Sequence, residues 1–210
     1  MKSVADLEKE FDIFYKSIGL KRVYDTLGEV DVDNADYYDE KDKIIVELKT
    51  LDKDFFEFGG IIDSLNTFVT VPKNVDENGL GQYEFQLPDQ KNRAGKLDNI
   101  EEPLRRILKK ANRQIKSTKE LLFKGEGVGF VMIALNMNTS IDPATITTLV
   151  AKLGQEFSAL HGFMVCTPSW HNIEPICYYG ARFDCPEYAK PFCDVTGAKW
   201  LDFYNNGGHK

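Results

Sequence analysis

Two stretches of this chain decide what it can fold into: IIVELKTL at 44–51 and VGFVMIAL at 128–135. The second is apolar or glycine throughout, with no alternation. A strand with one wet face alternates, so a run that does not alternate is buried on both faces. Such a strand lies inside a sheet covered by helices on each side, and patterns for those helices are present. Val4, Leu7, Phe11, Phe14 and Ile18 form one apolar stripe, with Ser3 placed to cap its start and Gly19 to end it. Leu104, Leu108, Ala111, Ile115 and Leu122 form another, on a helix predicted from about Glu101 to Phe123 with Pro103 in its first turn. A third helix opens at Asp142-Pro143 and carries Ile146, Leu149, Val150, Leu153, Phe157 and Leu160, and Phe163 to Cys166 makes a short strand.

Between these patterns the signal weakens. Val23, Leu27, Val30 and Val32 show no single period, and they are read as a first strand. From about 52 to 99 the chain is punctuated by glycine and proline, and Tyr83, Phe85 and Leu87 predict one short strand there. Residues 167–210 read as an aromatic C-terminal extension. The order is helix, hairpin, long helix, strand, helix, strand. It predicts an α/β fold in one domain spanning 1–210, a mixed central sheet flanked by helices.

The run at 44–51 breaks its own rule. Glu47 and Lys49 sit two apart in an apolar strand, so both leave the same face. A charge held out of water needs a partner or a metal. The polar turn Asp39-Glu40-Lys41-Asp42-Lys43 precedes the run, and Asn34-Ala35-Asp36-Tyr37-Tyr38 precedes the turn. A hairpin turning at Lys41-Asp42 pairs Glu40 with Lys43 and, counting outward, Asp36 with Glu47. Cross-strand partners sit close enough to share one cation. Mg²⁺ takes oxygen ligands, typically one or two carboxylates with waters and a substrate phosphate. Two carboxylates and a lysine at one spot therefore suit metal-assisted phosphodiester hydrolysis. The bland alternative is a structural ion pair that caps the sheet edge, with Lys49 held by Glu47 or Asp36.

Asn34-Ala35-Asp36-Tyr37-Tyr38 followed by Ile45-Val46-Glu47-Leu48-Lys49-Thr50-Leu51 resembles the PD-(D/E)XK nuclease superfamily, the restriction-endonuclease-like fold. The resemblance extends to the first helix and to the later helix around Lys110–Lys119, and leaves 52–99 and 167–210 uncovered. Ala35 stands where the family's name has proline. The resemblance implies cleavage of nucleic acid, mostly DNA, with Mg²⁺ or Mn²⁺. By position, Asp36 and Glu47 would be metal ligands, joined by the Leu48 backbone carbonyl, and Lys49 would orient the water. Family members commonly add an acid from the first helix, for which Glu8 and Glu10 are the candidates, and a glutamine on a later helix. Gln114 lies at the rim of the long helix's apolar stripe, where it could bind substrate or a metal-bound water or simply be a satisfied core-edge amide. An enzyme cutting both strands could act as a homodimer. A binding module on the same fold with a silent site is the rival reading.

Charge cuts both ways. The chain carries −7 overall, which argues against a uniformly basic nucleic-acid-binding surface. Residues 104–124 alone carry +7, leaving −14 on the rest. Arg105, Lys109, Arg113 and Lys116 fall on one stripe of that helix, read either as a phosphate-backbone contact or as a solvated face. The N-terminus MKSVADLEKEF lacks the apolar core of a signal peptide, and no apolar run is long enough to span a bilayer. The expectation is a cytoplasmic protein with no membrane partner. It is also one whose Cys166, Cys177, Cys185 and Cys193 are free thiols packed among aromatics, since with His161 and His171 their spacings match no zinc knuckle. His161 is expected just past a helix ending at Leu160.

Overall fold

A computed structural model describes residues 4–51, 69–75, 81–86, 94–136, 143–167 and 175–207. Ser3, Leu87, Asp142 and His171, named above, lie outside the described residues. The elements in chain order are α1 (Val4–Ser17), β1 (Lys21–Arg22), α2 (Val23–Leu27), β2 (Tyr37–Asp39), β3 (Ile44–Leu51), β4 (Val69–Val75), β5 (Gly81–Gln86), α3 (Ala94–Phe123), β6 (Val128–Leu135), α4 (Pro143–Gly154), β7 (Leu160–Thr167), β8 (Ile176–Ala181) and α5 (Pro191–Asn205).

Six strands make one mixed sheet in the order β1-β2-β3-β6-β7-β8, and β4 with β5 forms a separate hairpin. Strands β3, β6 and β7 run parallel at its centre, and the outer pairings are antiparallel. The all-apolar run is central, as its pattern demands, and every residue of β6 is buried. The sheet separates two cores. On one face Ile45, Leu51, Val131, Ile133 and Val165 pack under α3 and α4 through Leu104, Leu108, Ile115, Leu149 and Val150. On the other Val46, Phe130, Met132 and Met164 pack under α1 and α5 through Leu7, Phe11, Phe14 and Trp200. Among the described residues no helix is long and apolar enough to cross a membrane.

The structure corrects several expectations. The chain after Lys21 is not one strand: two residues of β1 pair with β2, and Val23 then starts a helical turn that buries its own side chain. Helix α3 begins at Ala94, so Pro103 lies inside it rather than in its first turn. Helix α4 stops at Gly154, and Phe157 and Leu160 belong to the turn and strand that follow. His161 is consequently in β7, where its Nδ1 lies 3.0 Å from the Ala159 carbonyl and 3.2 Å from the Gly129 amide. Tyr83 and Phe85 do lie in a strand, and β4 pairs with it across 69–75. The C-terminal quarter is no appendage: β8 extends the sheet beside β7, and α5 seals the second core. Cys166 and Cys177 are not free but form a disulfide between β7 and β8. They stand opposite each other in the antiparallel ladder with Cα atoms 4.2 Å apart, a proximity their spacing of eleven could not announce. Cys185 and Cys193 are buried thiols.

Candidate active site

The hairpin folds in the expected register. Tyr37 pairs with Val46, Tyr38 with Ile45 and Asp39 with Ile44. One step further places Asp36 opposite Glu47. Asp39 Oδ1 accepts the Lys41 amide at 3.0 Å, which shapes the turn locally. Asp36 lies just outside the ladder, and its Oδ2 accepts the Leu48 amide at 2.8 Å. That bond ties the carboxylate to the strand carrying Glu47.

Strand alternation does the rest. Glu47 and Lys49 leave β3 on the face of Ile45 and Leu51, so both point into the layer under α3. The Glu47 side chain is 1% exposed and that of Lys49 is 17% exposed, and the two form an ion pair. Lys49 Nζ also donates to Gln114 Oε1 at 2.9 Å, and Gln114 Nε2 donates to the Asn34 carbonyl at 2.9 Å. One turn along α3, Thr118 accepts the Ala35 amide at 2.8 Å. Helix α3 therefore clamps the segment leading into β2 at two points, and it holds Lys49 through one of them.

Burial sets the electrostatics. Desolvation is the main cause that pushes both carboxyls above their usual range, against the Leu48 amide and Lys49, which favour the charged form of Asp36. Glu47 is pushed well up, by burial first and by the neighbouring Asp36 second. The two carboxyls are close enough for each to alter the other's acidity. Glu47 Oε2 is buried and has no hydrogen-bond partner among the described residues.

Two clefts meet at this point. One of about 310 Å³ is lined by Glu8, Asp12, Arg22, Asp36, Leu48 and Lys49, among others. The other, of about 680 Å³, runs along the loop from Gly28 to Asp36 and ends at Gln114. Of the two first-helix acids, Glu8 lines the smaller cleft and adds to the charge felt by Asp36. Glu10 is buried elsewhere, against the hydroxyl of Tyr204 on α5. Sequence reasoning missed Asp12. It lies one turn beyond Glu8 on the same helix face, bonds Arg22 Nη1 at 2.9 Å, and accepts the Tyr37 hydroxyl. The i, i+4 spacing of Glu8 and Asp12 was the available signal.

The basic stripe is only partly free. Arg105 forks onto Glu156 at 3.0 and 3.2 Å and also reaches Glu102, and Arg113 pairs with Asp33. The apparent shortage of acids on α3 is met from outside the segment counted. Among the described residues Lys109 and Lys116 have no ion-pair partner; both are exposed. Among the described residues no three His, Cys, Asp or Glu gather in one group that could hold a metal, so Asp36 and Glu47 stand as a pair. Comparisons with protein families, with characterised proteins and with solved structures gave no match to this chain.

Proposed function

We propose that the chain is a divalent-metal-dependent nuclease of restriction-endonuclease-like fold that hydrolyses phosphodiester bonds, with DNA as its main substrate. The observation that carries this reading is Glu47: a carboxylate 1% exposed, with one oxygen lacking any partner among the described residues, set beside a second, half-buried carboxyl. Burying an unpaired carboxylate oxygen is costly, and a fold keeps one where something else completes it. A hard cation fits that demand, because its ligands are oxygens. Asp36 and Glu47 would hold Mg²⁺ or Mn²⁺ with the Leu48 carbonyl as a further oxygen, while Glu8 lines the cleft beside Asp36 without joining the pair as a third gathered acid. When bound, the cation polarises the scissile phosphate and makes a bound water more acidic.

The chain's own groups have separate tasks. Lys49, fixed between Glu47 and Gln114, offers its ammonium to the attacking water and to charge developing on the phosphate. Gln114 is a positioning residue: it sets Lys49 and is itself set by the Asn34 carbonyl. Lys109 and Lys116 would contact the phosphate backbone, while Arg105 and Arg113 are held by acids. A cytoplasmic location, and pairing of two chains to cut both strands, belong to the same proposal.

The test is cleavage of plasmid, linear and single-stranded substrates with Mg²⁺ or Mn²⁺ by the wild type and by Glu47→Ala. Loss of more than about 100-fold in the variant is expected. Wild-type activity that survives the substitution overturns the site. Nucleic-acid binding without cleavage, and without any Mn²⁺-dependent rise in melting temperature, favours the silent module instead.

A further inference from the structure

The larger cleft has a chemistry of its own. Its floor is the polar end of the site, Asp36 and Gln114, and its walls are the loop from Gly28 to Ala35 and helix α2. Gly28, at φ +67°, makes the turn from α2 into that loop. Tyr24 is 59% exposed, Val30 38% and Val32 48%. All three line this cleft, and among the described residues large exposed apolar side chains are few. Glu29, Asp31 and Asp33 alternate with the two valines, and Arg113 already neutralises Asp33. Apolar faces with carboxylate acceptors at the edge match a flat ring bearing amine donors. They do not match a phosphate chain, which the acids would repel. The volume of about 680 Å³ falls within the about 300–1,000 Å³ that small-ligand sites span.

Arg22 supplies the missing cation. It lines both clefts, as Asp36 does, so it stands where the scissile group and its neighbour would meet. Its Nη1 is held by Asp12, its side chain is 40% exposed, and its Nε and Nη2 have no partner among the described residues. A guanidinium held on one side with donors free on the other is preorganised for a phosphate. We infer that this cleft takes an unpaired nucleobase of the strand being cut, stacked on Tyr24, with the attached phosphate on Arg22. The inference rests on the nuclease reading and narrows it, because a base inside a duplex has both faces covered and cannot reach Tyr24. The substrate class is then single-stranded nucleic acid, or a duplex with an unpaired or flipped nucleotide at the cut.

The experiment measures binding apart from cleavage. With Ca²⁺ in place of Mg²⁺, fluorescence anisotropy follows a short dye-labelled single strand and the blunt duplex of the same sequence. The proteins are the wild type, Tyr24→Ala, Tyr24→Phe and Arg22→Gln, each checked for an unchanged melting temperature. Tyr24→Ala is expected to weaken single-strand binding about tenfold and leave the duplex unaffected, and Tyr24→Phe, which keeps the ring, to bind as the wild type does. Arg22→Gln is expected to reduce the salt dependence by about one phosphate contact. Wild-type single-strand binding by Tyr24→Ala overturns the inference, as does an equal loss on the duplex. If Glu47-dependent cleavage persists alongside either result, the nuclease reading survives without this cleft. Absence of both nucleic-acid binding and Glu47-dependent cleavage overturns the two together.

Discussion

The two faces of the central sheet are built on opposite terms. Under α1 and α5 the filling is aromatic and its polar groups are mostly paired. Phe11 stacks on Trp200 with centroids 4.4 Å apart and planes 7° from parallel, and Phe14 meets the indole edge-on at 5.0 Å. Tyr15 donates to the Met132 sulfur at 2.6 Å, and the Tyr204 hydroxyl serves the buried Glu10. Among the described residues the indole N–H of Trp200 has no acceptor, but it is one neutral donor among ring faces. Under α3 and α4 the filling is aliphatic, yet one strand carries a carboxylate and an ammonium into it. One face is filled mainly by stacked and edge-on rings. The other accepts buried charge, and buried ion pairs are a weak source of stability. The α1 face buries one carboxylate, Glu10, and caps it with the Tyr204 hydroxyl, whereas the α3 face buries a carboxylate with an ammonium beside a second carboxyl, so the α3 face is the place to look for chemistry.

Truncating the aromatic face is expected to give the largest effect on stability. Trp200 is fully buried and meets rings from α1 and from its own helix, so Trp200→Ala should cost about 3–5 kcal/mol. Urea unfolding measures it, and a loss below about 1 kcal/mol would break the contrast. The mirror experiment removes charge from the other face. Replacing Glu47 by Leu together with Lys49 by Met should raise stability by about 1–4 kcal/mol in metal-free buffer while abolishing cleavage. If the double variant is instead strongly destabilised, the pair is a structural ion pair and the functional reading of this face fails.

How much of this was legible depends on the range of the interaction that decides each feature. The central strand, the hairpin register and the common face of Glu47 and Lys49 follow from local periodicity, and all three stand in the structure. Gln114 could be placed at the stripe's rim, but its two partners lie 65 and 80 residues away and no spacing reveals them. The same limit hid the acids that occupy the basic stripe: Glu156 is 51 residues from Arg105, and Asp33 is 80 from Arg113. It also hid the Cys166–Cys177 pairing, since β8 itself was not foreseen. The α4 boundary failed for a different reason. Apolar residues continue past Gly154 at helical spacing, because Phe157 is half-buried in the turn and Leu160 buried in the strand that follow.

The contrast reaches the outer surface of α3. Arg105 is occupied by Glu156 and Glu102, whereas Lys109 and Lys116 face water. If the stripe serves nucleic acid, Lys109→Ala and Lys116→Ala should each lower the slope of log K against log salt by about one contact, with little change in sequence preference. Arg105→Ala should leave that slope nearly unchanged, because its guanidinium is already held. Equal effects from all three positions would mean that the ion pairs open freely and do not divide the stripe.

The smallest expected effect comes from His161, which shares the charged face but lies away from the carboxylates. Burial lowers its pKa first, the nearby Lys119 and Arg182 add to the lowering, and the Ala159 carbonyl and Asp184 partly oppose it. The folded protein therefore releases this proton more readily than the unfolded chain, whose histidine titrates near about 6.5. Above that pH both states are neutral and the stability is fully present. As pH falls, the unfolded chain gains the proton first, and stability is lost until the folded value is passed. His161→Gln should remove this contribution. Its stability curve should run parallel to the wild type's above about pH 6.5 and fall less steeply below it. The carboxyls of Asp36 and Glu47, raised rather than lowered, act with the opposite sign in both proteins, so they cancel in the comparison. Thermal melts of both proteins across that range decide it, and a wild-type curve that runs parallel to the variant's throughout would mean that His161 is no more buried than a surface imidazole.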